Sequence, residues 1–520
     1  MPPNAIAAVP GPTAPPTLAA IIATIGPASE APETVAKLIG AGVAIFRINF
    51  SHGTFDDHAR RLAVIRDAAR RLGVPIAVLG DLPGPKIRIG PMPEGGLTIE
   101  TGQDVLIDPQ CPLGMQSAAG AVTLSCRYAR IAAEVQPGQR VLINDGALRL
   151  LALPAEPGDS PTGLRCRVTS GGLVTSGKGI NLPDSELSVP AVTEQDIAFT
   201  RWALEHALDY LALSFVRTAA EVVSLRATIA ALHAELKLDV LINPYPPIIA
   251  KIEKPQAVAN IESIASAADA LMVARGDLGV EMDIAEVPMV QKRIVAAAEA
   301  WGKPCIVATQ MLESMISAPS PTRAEATDVA NAVLDGADCV MLSGETAVGK
   351  YPVLTVETMR RIIHVTERSL PARAAPTPPA KVVETGYRTA AIAHGAWWVA
   401  RDVKAKFVVV WSQAGGGARY LSQTGFAIPI IAYSSSPVSL QRMNLLKGVR
   451  PLFCPVPAAD TDSLARWNER VEADLLSRGW IKPGEAIVLM AGRPLGTRAP
   501  SSTLAVCIVG DATTGFCGHC

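Results

Sequence analysis

The chain has 520 residues, 49% of them hydrophobic and 18% charged, with 47 Lys and Arg against 48 Asp and Glu. That length exceeds one ordinary core and implies two to four domains with large interiors. A net charge of −1 supplies no bulk basic field for nucleic acid or anionic lipid, and no unbroken apolar run reaches the roughly 18 residues that span a bilayer, so neither nucleic acid nor membrane is expected as a partner.

Residues 1–16, "MPPNAIAAVPGPTAPP", are rich in Pro and Ala and lack the basic start and unbroken apolar core of a signal peptide; they are predicted to form a disordered arm. From Thr17 onward, short apolar runs alternate with helical patterns. The runs are "LAAIIATIG", "GVAIFRINF", "VPIAVLGDL", "LDYLALSFV", "PPIIAKIE", "ALMVARGD", "KPCIVATQ" and "ADCVMLSGE". Amphipathic stretches such as "DDHARRLAVIRDAARRLG" separate most of them. Near-continuous apolar strands between helices indicate a parallel sheet covered on both faces. Eight of them predict an α/β fold, a closed (β/α)₈ barrel over 17–83 and 190–370, with an open doubly wound sheet as the alternative.

The alternation breaks once. Residues 84–189, with runs such as "GGLTIETGQDVLID" and "QRVLINDGALRLLAL", carry the spacing of strands and turns expected of a small β-barrel or sandwich inserted in a barrel loop. Residues 371–380 read as a linker. Residues 381–520 resume α/β alternation through "AKFVVVWS", "AIPIIAYS", "RPLFCPV", "EAIVLMAG" and "STLAVCIVG", which predicts an open C-terminal α/β domain. Nine scattered cysteines read as reduced, buried thiols of a cytoplasmic protein. Cys517, His519 and Cys520 in the closing "CGHC" read more readily as a frayed end than as a metal site.

In parallel barrels the chemistry sits where strands end. The second run ends in Arg47 and Asn49, followed by Ser51 and His52; the third ends at Asp81. The fifth supplies Lys251 and Glu253, the sixth Arg275 and Asp277, the seventh Thr309 and Gln310, and the eighth Ser343 and Glu345. Taken singly, Asp81, Thr309 or Ser343 reads equally well as a helix cap, and a Lys beside a Glu as a surface pair. Taken together, polar groups at strand end after strand end point to a charged ligand. Glu253 and Asp277 are hard oxygen donors of the kind that hold Mg²⁺ (Mn²⁺ is the alternative), with waters and substrate oxygens completing the shell. Arg47, Arg88, Lys251 and Arg275 suit phosphate or carboxylate. Gly276 lets backbone N–H groups approach an anion. No histidine pair has zinc-hydrolase spacing. The set indicates phosphoryl transfer or enolate chemistry.

The segments "FRINFSHG", "DLPGPKIRIG", "IIAKIEKP", "VARGDLGVE", "ATQMLESM" and "MLSGETAVGKYP" resemble, in order, the signature segments of pyruvate kinase. The resemblance covers the barrel, the insert ("SGKGINLP") and the C-terminal domain. It implies a phosphotransferase that moves the phosphoryl group of phosphoenolpyruvate to ADP, giving pyruvate and ATP in the final step of glycolysis. In this resemblance Glu253 and Asp277 hold Mg²⁺, while Lys251 and Arg47 meet the moving phosphoryl group. The backbone from Arg275 through Gly276 to Asp277 and the Thr309 hydroxyl receive the substrate carboxylate. Thr309 also lies near the path by which the enolate gains its proton, with Ser343 and Glu345 as relay groups. Asn49, His52 and Arg88 line the nucleotide side, and Lys178 arrives from the insert as a lid.

The family's monovalent-cation site would match Asn49, Ser51, Asp81 and Leu82. Members that use K⁺ carry a glutamate where this chain has Lys86, and often Thr and Lys where it has Leu82 and Pro83. A tethered ammonium replaces the ion's charge, so K⁺ is expected not to be required. Ser412, Gly415, Gly416 and Gly417 read as a candidate effector loop, whose glycines can form an anion nest, with a plain turn as the alternative. Its hydroxyls are thinned out, leaving Ser412 and Arg419, so fructose bisphosphate is doubtful and a sugar monophosphate, AMP or no effector stay open. The family implies a homotetramer. Two rival readings are another Mg²⁺ and enolate barrel, and a catalytically silent binding protein on the same fold.

Overall fold

The computed structural model describes residues 17–118, 120–369, 379–380, 386–456 and 463–516. The N-terminal arm, the predicted linker up to residue 378 and the Cys517/His519/Cys520 tail lie outside the described residues. Eight parallel strands close into a barrel: Ala20–Thr24, Val43–Asn49, Ala77–Asp81, Tyr210–Leu213, Ile248–Ile252, Ala270–Ala274, Cys305–Ala308 and Cys339–Leu342. From the third strand onward every strand residue is buried, because helices cover the outside and side chains fill the inside. The helices start and stop where the chain signals it. Phe55–Leu72 opens with a reciprocal capping box between Thr54 and Asp57 and closes on Gly73 in the left-handed region, with His58, Leu62, Ile65, Ala68 and Ala69 on its buried face.

The barrel interior is packed with Ile22, Ile45, Leu79, Tyr210, Ile249, Met272, Ile306 and Met341, and one further side chain joins that core from the C-terminal part of the chain, Leu445. It projects from the short 3₁₀ turn Met443–Leu445 into the end of the barrel where the strands begin. The Cys339 thiol donates to the Leu445 carbonyl at 3.5 Å, and the Tyr210 hydroxyl donates to the Arg442 carbonyl. Leu445→Ala opens a cavity at this floor and is expected to cost about 2–5 kcal/mol, seen as a lower urea midpoint for the transition that exposes the barrel.

The insert is all-β. A seven-stranded sheet runs in the order Ile180–Asn181, Arg140–Ile143, Leu148–Ala152, Leu164–Ser170, Asp104–Asp108, Val122–Ser125 and Met115–Gln116, accompanied by the pair Leu97–Ile99 and Gly172–Val174. Both enclose one core that includes Ile89, Ile107, Leu124, Val141, Leu150 and Val174. The C-terminal part is an open five-stranded sheet in the order Val449–Phe453, Ile430–Ser434, Phe407–Trp411, Ala486–Ala491, Thr503–Ile508, parallel except for the last strand. One face packs against Leu464, Trp467, Val471 and Leu475, and the other against Ala393, Ala396 and Ala400. All seven described cysteines are free, and all but Cys111 are buried.

The loop after the second strand is seated on aromatic rings. Phe50 stacks on Phe199 at 4.6 Å and meets His58 and Trp202 edge to face, so Asn49 and Ser51 flank a side chain anchored in the core. His58 is fully buried and neither ring nitrogen is hydrogen-bonded. Burial, helped by the nearby Arg61 cation, pushes its pKa down to about 4. The folded state therefore holds a neutral imidazole that the unfolded chain protonates near pH 6.5, and this contribution to stability is lost as pH falls from about 6.5 towards 4. His58→Phe is expected to show a smaller drop in urea midpoint between pH 7 and pH 5 than the wild type.

Candidate active site

The ends of the second to sixth strands and the insert enclose a cavity of about 530 Å³. Its wall contains Arg47, Asn49, Ser51, His52, Asp81, Leu82, Pro83, Lys86, Arg88, Lys178, Lys251, Glu253 and Asp277. Thirteen residues quoted from separate stretches of sequence thus share one space.

At its centre lies a buried charge network. The Lys251 ammonium is 2.8 Å from Glu253 Oε1 and 3.3 Å from Asp81 Oδ1, and it donates to Ser214 Oγ at 2.7 Å. Arg47 Nε donates to Asp81 Oδ2 at 2.7 Å, and its Nη1 donates to Thr24 Oγ1 at 3.1 Å. Burial alone would push Lys251 down. The carboxylates of Asp81, Glu253 and Asp277 outweigh it and hold the ammonium above the ordinary lysine range. Burial likewise opposes ionisation of Asp81, yet Lys251 and Arg47 keep its pKa below the usual carboxylate value. Glu253 is pushed up by burial and by Asp277, against the pull of Lys251.

Glu253 Oε2 accepts from the Phe215 N–H at 2.7 Å, whereas buried Oε1 accepts no hydrogen bond and meets Lys251 only as an ion pair. A buried carboxylate oxygen without a hydrogen bond, with a second carboxylate on the same cavity wall, fits a divalent cation. Among the described residues no group of three or more His, Cys, Asp or Glu could hold a metal. A cation at this wall would therefore rely on the Glu253–Asp277 pair together with oxygens that are not protein carboxylates.

The remaining expected residues are off this wall. Thr309 adopts a left-handed backbone (φ 71°); its hydroxyl accepts from the Gly276 N–H at 2.7 Å and donates to the Ala308 carbonyl at 2.6 Å. The Arg275 guanidinium turns away to Asp328 at 2.6 Å and to the Thr309 carbonyl at 2.7 Å, so it braces the sixth and seventh strand ends and brings no free charge to the rim. Glu345 is fully buried, accepting from the Ser343 and Leu312 N–H groups, and the Ser343 hydroxyl is buried without a partner. On the insert side, Arg88 donates to the Gly177 carbonyl at 3.0 Å, and Lys86 Nζ lies 3.9 Å from Asp145 Oδ1.

A second cavity, of about 160 Å³, opens in the C-terminal sheet. Ser412, Gly416 and Gly417 line it, with Thr389, Arg498 and Ser501. Gly415 precedes it at φ 82°, a conformation that favours glycine. The Arg419 guanidinium stacks on Tyr420 instead.

A family model described as "Pyruvate kinase, barrel domain" matches residues 17–356, and one described as "Pyruvate kinase, alpha/beta domain" matches residues 390–507. The chain belongs to the pyruvate kinase family. It is an enzyme of that family. It is 38% identical over 493 residues to the pyruvate kinase of Corynebacterium efficiens, covering 95% of this chain and 98% of that one. It is 39% identical over 493 residues to that of Mycobacterium tuberculosis strain H37Rv, covering 94% and 98%. With the pyruvate kinase of Geobacillus stearothermophilus it shares 37% identity over 493 residues, covering 94% of this chain and 80% of the relative.

Family signature segments did not single out every residue at the centre. Ser214 and Phe215 directly follow the fourth strand, and Thr24 closes the first. Ser214 accepts from Lys251 and donates to the Leu82 carbonyl at 2.7 Å; Phe215, at φ 55°, turns its N–H onto Glu253. The signal was a hydroxyl at the end of an otherwise apolar run, the same signal that marked Thr309. Asn144 and Asp145, also left-handed, complete the insert side of the wall.

Proposed function

We propose that this cavity transfers the phosphoryl group of phosphoenolpyruvate to ADP. The bond from phosphorus to the enol oxygen breaks, a bond to the terminal oxygen of ADP forms, and enolpyruvate takes a proton from water at carbon three to become pyruvate. One observation carries the reading: a charged, buried lysine faces a cavity between Arg47, Asp81, Asp277 and Glu253, and Glu253 keeps one buried oxygen without a hydrogen bond. Lys251 and Arg47 neutralise charge on the migrating phosphoryl group, and because Asp81 already fixes both cations they need little reorganisation to do so. Glu253 and Asp277 are the residues that would hold Mg²⁺ or Mn²⁺, which when bound supplies positive charge to the substrate oxygens.

The backbone at Arg275 to Asp277 and the Thr309 hydroxyl receive the substrate carboxylate, which replaces the Gly276–Thr309 and Thr309–Ala308 hydrogen bonds. Thr309 positions the water that protonates the enolate, since a hydroxyl is a poor acid at neutral pH; Ser343 and Glu345 hold that loop and relay the proton. Asn49, His52, Arg88 and Lys178 bind the nucleotide, and the insert closes as a lid. The reaction runs without K⁺. The Asp81 carboxylate is engaged by Lys251 and Arg47, Leu82 brings no hydroxyl, and Lys86 supplies the charge. The C-terminal cavity takes a small phosphate monoester, AMP or a sugar monophosphate, with Arg498 as its cation. The enzyme works in the cytoplasm as a homotetramer; among the described residues no helix is long and apolar enough to cross a membrane.

The test follows pyruvate from phosphoenolpyruvate, ADP and Mg²⁺. Turnover by the wild type is expected, and a silent wild type would favour a binding protein instead. Glu253→Gln removes a ligand charge and is expected to raise the Mg²⁺ concentration for half-maximal rate by about tenfold or more, checked by metal titration alongside direct Mn²⁺ binding. An unchanged metal requirement would remove Glu253 from the metal site.

A further inference from the structure

One side chain outside the reacting groups joins three separate pieces of the chain. Glu281, wholly buried, ends the short helix Arg275–Glu281 that carries Asp277 one turn earlier. Its Oε1 accepts from the Lys254 ammonium at 3.0 Å, and Lys254 directly follows Glu253. The same oxygen accepts from Asn181 Nδ2 at 2.8 Å, and Asn181 lies on the last strand of the insert, three residues after Lys178. Lys254 and Asn181 are each only 8% exposed, so water does not compete strongly for these bonds. Glu281 Oε2 is buried and makes no hydrogen bond; the carboxylate is committed to this junction through one oxygen.

The insert side reaches the cavity through a short rigid path. Asn181 and Ile180 pair with Leu142 and Ile143. Gly179 accepts from the Asn144 N–H at 3.0 Å and bridges to Arg88. Arg88 in turn donates to the Gly177 carbonyl. Lys178, Arg88 and Asn144, all on the cavity wall, are thereby held to the strand that ends on Asn181. Arg140, on the neighbouring strand, pairs with Asp184 and also lies in the field of Glu281.

We propose that Glu281 is a positioning residue, the pivot that ties the nucleotide-binding face of the lid to the two segments bearing Glu253 and Asp277. The proposal rests on the functional reading above for what those segments do. Glu281 itself touches neither substrate nor reacting atoms. It sets the distance between the lid cations and the carboxylate side of the cavity, so the lid swings about the Asn181–Glu281 contact and that contact persists. Losing the contact leaves the chemistry intact and misplaces the lid. The cost falls on the nucleotide and not on phosphoenolpyruvate, which is bound from the barrel.

The test uses the full chain and Asn181→Ala, a change confined to the lid, with Asn181→Gln as the conservative variant that keeps the amide donor. Steady-state kinetics are read with ADP and phosphoenolpyruvate varied separately, and amide hydrogen exchange is followed by peptide. Asn181→Ala is expected to raise KM for ADP about tenfold, the usual loss for a hydrogen bond to a charged group, with KM for phosphoenolpyruvate within about twofold. Peptides over 172–183 and over 275–281 should both exchange faster, and Asn181→Gln should recover most of both effects. Equal loss for both substrates, or unchanged KM values with exchange altered in the lid alone, would overturn the pivot. If the wild type makes no pyruvate, the functional reading fails by itself. The pivot is then judged on exchange, where protection lost over 275–281 in Asn181→Ala supports it and protection retained there refutes it.

Discussion

Lys251→Met is expected to lower kcat by about 10²–10³-fold or more, the loss typical of removing one fixed donor from developing negative charge, while the protein stays folded. Methionine keeps the length and apolar stem of lysine and removes only the charge and its donors. Asp81 retains Arg47 at 2.7 Å, so only Glu253 is left with an unopposed carboxylate, and burial lets it take up a proton. The comparison is made at saturating phosphoenolpyruvate and Mg²⁺, with thermal unfolding as the control for folding. A variant within tenfold of the wild type would remove Lys251 from the reaction. The same network predicts a pH signature. Because neighbouring carboxylates raise Lys251 above its ordinary range, the ammonium stays charged well past neutrality. Its contribution to stability is fully present below about pH 10.4 and is lost only as pH rises through the higher folded value. Any loss of rate between pH 7 and 9 must then come from another group.

The second large effect is expected from Lys86→Glu. The wild type should turn over equally well in Na⁺ and in K⁺. The variant should lose activity in Na⁺ and regain part of it in K⁺. A unit charge about 4 Å from a phosphate oxygen, at an effective dielectric near 20, is worth about 4 kcal/mol. The Lys86 side chain is 32% exposed and faces Asp145 at 3.9 Å, and solvent screening reduces that figure. A loss of about 10–100-fold in Na⁺ is the expected outcome. If the wild type needs K⁺, or if Lys86→Glu responds to neither ion, the tethered ammonium is not the substitute cation.

Much of this was legible in the sequence because barrel strands covered on both sides leave unbroken apolar runs, and all eight runs form the strands. The strand-end rule then brought Arg47, Asp81, Lys251, Glu253 and Asp277 to one wall. What the rule could not convey was direction. Arg275 follows its strand as Lys251 ends its own, yet its guanidinium turns outward to Asp328, a choice made by a partner on a helix more than 50 residues away. Ser214 was hidden because a single serine after "LAL" reads as the tail of a core strand. Glu281 and Asn181 are 100 residues apart, and no local pattern announces a bond that depends on how the insert folds back onto the barrel.

The leucine at position 445 gives the C-terminal part of the chain a second role, independent of any ligand. A (β/α)₈ barrel must be stoppered at its bottom, and here the stopper is borrowed from a segment synthesised some hundred residues after the last barrel strand. That contact can form only after the segment has left the ribosome. A chain ending at residue 369 would keep every group proposed to touch substrate and still present an apolar hole, so a truncation there should yield aggregates and not a smaller working enzyme.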